Sequence, residues 1–229
     1  MFHYEKAWQD VADRVRRAAR DAGRAAEEIR VLAVSKAQPP EAIRALQRLG
    51  QRAFGENYVQ EALAKMDALA DLPEMEWHLI GPLQSNKTGA VAERFDWVHT
   101  IDRERIADRL SAMRPPAKPP LNVCVQVNIS GESTKSGVPP EDALALARAV
   151  AALPRLNLRG LMGIAESTPL MASRRGQFRI LRALFESCRA AGLPVDTLSM
   201  GMSDDFEAAI AEGATIIRIG SALFGPRTA

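Results

Sequence analysis

Of the 30 basic residues in this chain only six are lysines, at positions 6, 36, 65, 87, 118 and 135, so a lysine that closes an apolar run is conspicuous. Lys36 does so at the end of IRVLAVSK (29–36). An amine held against apolar walls loses affinity for its proton and becomes nucleophilic toward carbonyl carbon, which suits Schiff-base formation. A lysine that merely leaves a strand and carries its ammonium to water would have the same signature. Arg218 sits inside the apolar run IIRIG, where a guanidinium needs either a structural carboxylate or the ring nitrogen or anion of a ligand. Two loops of small residues, SMGMSDDF (199–206) and RIGSALFG (218–225), each lead into a helical pattern. Ser203 or Asp204 reads as an N-cap with Glu207 as its reciprocal partner, and Gly220 with Ser221 opens the second turn. Such loops cap helices, and their backbone N–H groups also suit a phosphate. Asp204 and Asp205 would then have to point away from the anion.

Other reactive residues carry less. The histidines His3, His78 and His99 have no metal-ligand spacing, and Cys124 and Cys188 form no C-x-x-C pair, so neither a metal site nor a disulfide framework is expected. GPLQSNKT (81–88) misses the phosphate-loop pattern because Asn86 replaces its second glycine, whose absent side chain lets the backbone close on phosphate. Lys135, among small polar residues, reads as a surface lysine or as a second amine able to exchange with Lys36. Arg14, Arg16, Arg17 and Arg20 read as a solvated helix face balanced by Asp10, Asp13, Glu27 and Glu28.

The elements that must position these residues follow from hydrophobic rhythm. Trp8, Val11, Val15 and Ala18 or Ala19 mark a leading helix that Gly23 can end. Eight short apolar runs then alternate with helical segments, their ends near 36, 57, 83, 102, 129, 164, 201 and 221, a step of about 26 residues. Strands apolar nearly throughout are buried on both faces, as in a closed parallel barrel ringed by helices. The expectation is α/β: a single-domain (β/α)8 TIM barrel over residues 1–229 with an extra N-terminal helix. An open doubly wound sheet is the alternative, but the glycine-rich turn expected after its first strand is missing; VSKAQPP stands there. In a barrel the strands' C-terminal ends surround the active mouth, which gathers Lys36, Asn57, the His78–Leu83 segment, Asp102, Asn128, Met162, Met200 to Ser203, and Arg218 to Ser221, Gly220 included. An amine for an aldehyde, an arginine for a heterocycle and a cup for a phosphate together describe a site for pyridoxal 5′-phosphate (PLP).

The balance of 30 basic against 28 acidic residues argues against a nucleic-acid or membrane surface, and no apolar run is long enough for a leader or a membrane helix. A cytoplasmic location and a monomer are expected.

AVSKAQP, FGENYVQE, EWHLIGPLQSNK, VNISGESTKSG, LRGLMGI, LSMGMSDDFEAAI and RIGSALFG occur in the order found in the YggS/PROSC family of PLP homeostasis proteins, which the chain resembles from about residue 8 onward. The resemblance implies a barrel like the N-terminal domain of alanine racemase. It places the cofactor on Lys36, its phosphate near Ser203, Gly220 and Ser221, Arg218 at the pyridine nitrogen and Asn57 beside the ring, with Met162 and Met200 as further lining residues. It also implies a PLP binder that buffers, protects or delivers the cofactor to apoenzymes without catalytic turnover. The alternative is a PLP-dependent racemase or related enzyme with Tyr58 or His78 as second base. A third class, a sugar-phosphate barrel enzyme with no organic cofactor, predicts a colourless protein.

Overall fold

The computed structural model describes residues 2–132 and 135–225. Eight parallel strands close into a barrel in sequence order: β1 (Arg30–Val34), β2 (Ala53–Glu56), β3 (Glu76–Leu79), β4 (Trp97–Ile101), β5 (Leu121–Val127), β6 (Leu156–Gly163), β7 (Thr197–Met202) and β8 (Ile216–Ile219). β1 closes the ring on β8, with Leu32 opposite Arg218. The leading helix α1 spans Tyr4–Asp21. Each strand is followed by a helix: α2 (Pro40–Arg48), α3 (Val59–Ala68), α4 (Thr88–Arg94), α5 (Glu104–Met113), α6 (Ala143–Ala151), α7 (Met171–Ala190), α8 (Phe206–Ala211) and α9 (Ser221–Phe224).

The pleat sends alternate side chains to opposite faces of each strand. Outward residues such as Ala33, Phe54, Leu79 and Val98 pack under the helices. Inward residues Leu32, Ala53, Trp97, Cys124, Met162 and Ile216 fill the lumen as a separate apolar cluster. On β1 this parity sends Val34 and Lys36 inward and Ser35 outward; on β8 it sends Ile216, Arg218 and Gly220 inward. Both cysteines are buried and unpaired. Among the described residues no group of His, Cys, Asp and Glu is arranged to hold a metal ion, and no helix is long and apolar enough to cross a membrane.

The leading helix does more than present a solvated face. Arg14 lies over the Phe206 ring at 4.3 Å, bonds Glu207 at 2.8 Å and reaches the carbonyl of Ser203 at 3.2 Å, so α1 clamps the loop between β7 and α8. Arg16 pairs with Asp13 on α1 itself.

Candidate functional site

A cavity of about 290 Å³ opens at the C-terminal mouth of the barrel. Lys36, Asn57, Ser203, Arg218, Gly220 and Ser221 all line it, together with Val34, Gln38, Ile80, Ile164, Met202 and Asp204. Met162 and Met200 are fully buried and stand outside its wall: Met162 fills the lumen and Met200 packs under the helices.

Lys36 stands at the end of β1 on a braced turn. Ala37 follows it in the left-handed region, φ 59°, and its N–H donates to Glu61 Oε1 at 2.6 Å. Behind the turn lies a buried ionic network. Lys65 of α3 donates to the Ser35 carbonyl at 2.6 Å, to Glu56 Oε1 at 2.8 Å and to Glu61 Oε1 at 2.6 Å, and the Ser35 hydroxyl also donates to Glu56 at 2.5 Å. Burial pushes the Glu56 carboxyl above the usual range, against the opposing pull of Lys65 and Ser35, and its Oε2 has no hydrogen-bond partner.

Asn57 owes its position to a close backbone approach. A Cβ on Gly81 would lie 2.1 Å from the Asn57 carbonyl oxygen, so only glycine fits there. That gives the first glycine of GPLQSNKT a packing role, and none of residues 81–88 lines the cavity.

Arg218 is 4% exposed, and no carboxylate bonds it among the described residues. Its Nη1 donates to Ser199 O at 2.7 Å and Oγ at 2.8 Å, and its Nη2 to Gly163 O at 3.0 Å. The structural carboxylate that sequence reasoning allowed is therefore replaced by neutral acceptors. Burial lowers its pKa to about 10, which leaves it charged at neutral pH.

The two small-residue loops meet: Ala222 N of α9 donates to Ser203 Oγ at 3.5 Å. Gly201, at φ 92°, makes the bend possible, since a Cβ there would lie 2.6 Å from that of Ala209. The N-cap of α8 is Asp205 and no capping box forms, so neither Ser203 nor Asp204 caps that helix. Asp205 turns back to accept from Met202 N at 2.6 Å. Asp204 is instead the one acidic residue of the cavity wall among the described residues.

The remaining candidates lie elsewhere. Lys135 pairs with Glu132 at 3.1 Å and is not a lining residue; its neighbours Ser133 and Thr134 lie outside the described residues. Tyr58 is 64% exposed and His78 is sealed inside the lumen, so neither proposed second base lines the cavity. Sequence reasoning gave Lys65 and His99 no role and assigned His78 to the mouth as a possible second base, where the structure places it in the lumen. The available signal was charge and imidazole in strands and helices whose other residues are core.

The family model for the alanine racemase N-terminal domain matches residues 9–228. The chain is 58% identical to the pyridoxal phosphate homeostasis protein of Pseudomonas aeruginosa over 217 residues, 95% of this chain and 93% of that one. It is 51% identical to the protein of the same name from Escherichia coli K12, covering 95% and 94%. It superposes on PipY of Synechococcus elongatus, a structure with PLP bound, at a TM-score of 0.81 and 38% identity over 94% of this chain and 100% of that one.

Proposed function

Because the chain belongs to the alanine racemase N-terminal-domain family, and within it to the pyridoxal phosphate homeostasis proteins, we propose that its mouth cavity binds PLP and that the protein holds the cofactor in reserve for apoenzymes. The carrying observation is the donor set gathered in one cavity: an amine, a buried guanidinium without a carboxylate, an amide, and two converging hydroxyl loops. Each matches one part of the cofactor. Lys36 would supply the amine for the cofactor's aldehyde. Arg218 would offer N–H groups to the pyridine nitrogen, Asn57 would stand beside the ring, and Ser203, Gly220 and Ser221 would receive the phosphate.

Bound PLP supplies an electron sink for amino-acid chemistry. Here a cation at the pyridine nitrogen opposes protonation of the ring and weakens that sink. Among the described residues the wall offers no tyrosine or histidine as an opposing base, which favours a carrier over a racemase.

Purified protein titrated with PLP should develop the visible band of a lysine-bound cofactor, and Lys36→Ala should abolish it. A colourless protein returns the barrel to sugar-phosphate chemistry. Incubation of the loaded protein with amino acids in D2O should give no multiple-turnover exchange at Cα; sustained exchange would establish the enzyme.

A further inference from the structure

The lumen carries a polar column that the cofactor reading does not use. Ser199, His99, His78 and Glu76 lead downward from Arg218 through the barrel. Ser199 Oγ lies 2.8 Å from His99 Nδ1, His99 Nε2 lies 2.8 Å from His78 Nδ1, and His78 Nε2 lies 2.9 Å from Glu76 Oε1. Glu76 is held by Arg30 through two bonds of 2.9 and 2.7 Å. Both imidazoles are fully buried, and His78 stacks on Trp97 with centroids 5.2 Å apart. The column's lower end lies in the wall of a second cavity, at the N-terminal ends of the strands, lined by Arg30, Glu76, Trp97 and Asn122.

The two ends fix the direction of every bond between them. A guanidinium can only donate and an ionised carboxylate can only accept. Arg218 donates to Ser199 Oγ, so the hydroxyl hydrogen goes to His99 Nδ1. The proton of His99 is then on Nε2 and is donated to His78 Nδ1; that of His78 is also on Nε2 and is donated to Glu76. Every ring nitrogen is satisfied by two neutral imidazoles. The reversed order requires a hydrogen on Glu76 and points the Ser199 hydroxyl hydrogen at the N–H of Arg218.

We propose that Ser199, His99, His78 and Glu76 form a one-way hydrogen-bond chain that positions Arg218 for the cofactor's ring nitrogen, the carboxylate at the far mouth fixing the tautomer of both histidines. These four are positioning residues, and their role toward PLP rests on the reading of the upper cavity given above. A Ser199 oxygen whose own hydrogen is committed downward presents lone pairs to Arg218. Together with Ser199 O and Gly163 O it fixes the guanidinium plane and leaves two of five N–H donors for the cavity. In a low-dielectric lumen such bonds polarise one another along the chain.

Two measurements decide it. In the protein without PLP, ¹⁵N–¹H NMR at neutral pH should show both His78 and His99 neutral and protonated at Nε2; an Nδ1–H tautomer or an imidazolium at either residue overturns the chain. In PLP titrations Ser199→Ala should weaken binding about tenfold. Glu76→Met, which removes the terminal acceptor, should weaken it about threefold in the wild-type background and leave it unchanged in the Ser199→Ala background. Glu76→Gln, whose amide oxygen still accepts from His78, should restore affinity to within about twofold of wild type. Additive effects of Ser199→Ala and Glu76→Met would overturn the proposal. If the wild type binds no PLP, the cofactor reading fails, while the NMR result still decides the direction of the chain.

Discussion

Asp204 is the residue at odds with a phosphate in the mouth, because its carboxylate shares the cavity wall with Ser203 and Ser221. Two like charges in a half-open site repel by about 1 kcal/mol or more. Asp204→Asn should therefore tighten PLP about threefold to tenfold, measured by calorimetric or absorbance titration; weaker binding would mean that Asp204 supports the ligand. Such a carboxylate suits a reserve that must release what it holds. At this scale the sequence was most legible where a residue's type contradicted its neighbours. Lys36 and Arg218 interrupt apolar strands, and strand parity places both inward beside Asn57, Gly220 and Ser221. Val34 and Ile164 went unnamed because an apolar residue at a strand end looks the same whether it faces a ligand or a helix. His78 and His99 also interrupt apolar strands, but with no metal spacing His78 was read only as a possible second base and His99 was given no role. Only the closed barrel shows that β3 and β4 bring their rings to 2.8 Å.

Among the elements, the β1–α2 turn depends on α3. Lys65 lies four residues after Glu61, the ordinary spacing of a helical ion pair. Docking of α3 against β1 and β2 turns that pair inward, onto Ser35 and Glu56, and leaves Lys65 only 5% exposed. No helical periodicity could reveal this, since the burial comes from strands 9 and 30 positions away. Removing the ammonium strands Glu56, whose second oxygen already lacks a partner. Lys65→Met should cost about 3–5 kcal/mol, a fall in melting temperature of roughly 10 °C or more for a chain of this size. It should also weaken PLP binding, because the carbonyl preceding Lys36 loses its anchor. Pairing it with Glu56→Gln, which removes the uncompensated charge, should recover part of the melting temperature. Equal melting temperatures for Lys65→Met and wild type would reduce the network to a surface pair.

For the whole molecule, eight-fold alternation made a parallel sheet buried on both faces legible, and VSKAQPP in place of a glycine-rich turn after the first strand favoured the closed barrel over an open doubly wound sheet. The clamp of α1 on the β7–α8 loop and the polar filling of the lumen were not legible, because both depend on which residues the closed ring brings together. That filling makes acid the barrel's weak point. Burial lowers His78 to about 4 and holds His99 well below its ordinary value of 6.5, while bonds from His78 and Arg30 hold Glu76 at about 2, below its ordinary 4.5. In all three the unfolded chain binds the proton first, so stability rises with pH: it is lost from pH 6.5 downward through the histidines and from 4.5 downward through Glu76. His78 alone would remove on the order of 3 kcal/mol by pH 4. Glu56, Asp96 and Asp205 act in the opposite sense, because burial raises their carboxyls and the folded state takes up those protons first. The lumen's contribution is therefore isolated by difference. Urea midpoints measured from pH 7.5 to 5 should fall for the wild type and fall less, or rise, for His78→Asn combined with His99→Asn. Parallel curves for the two proteins would show that both imidazoles take up their protons in the fold over the same pH range as in the unfolded chain, and that their burial does not set the barrel's sensitivity to acid.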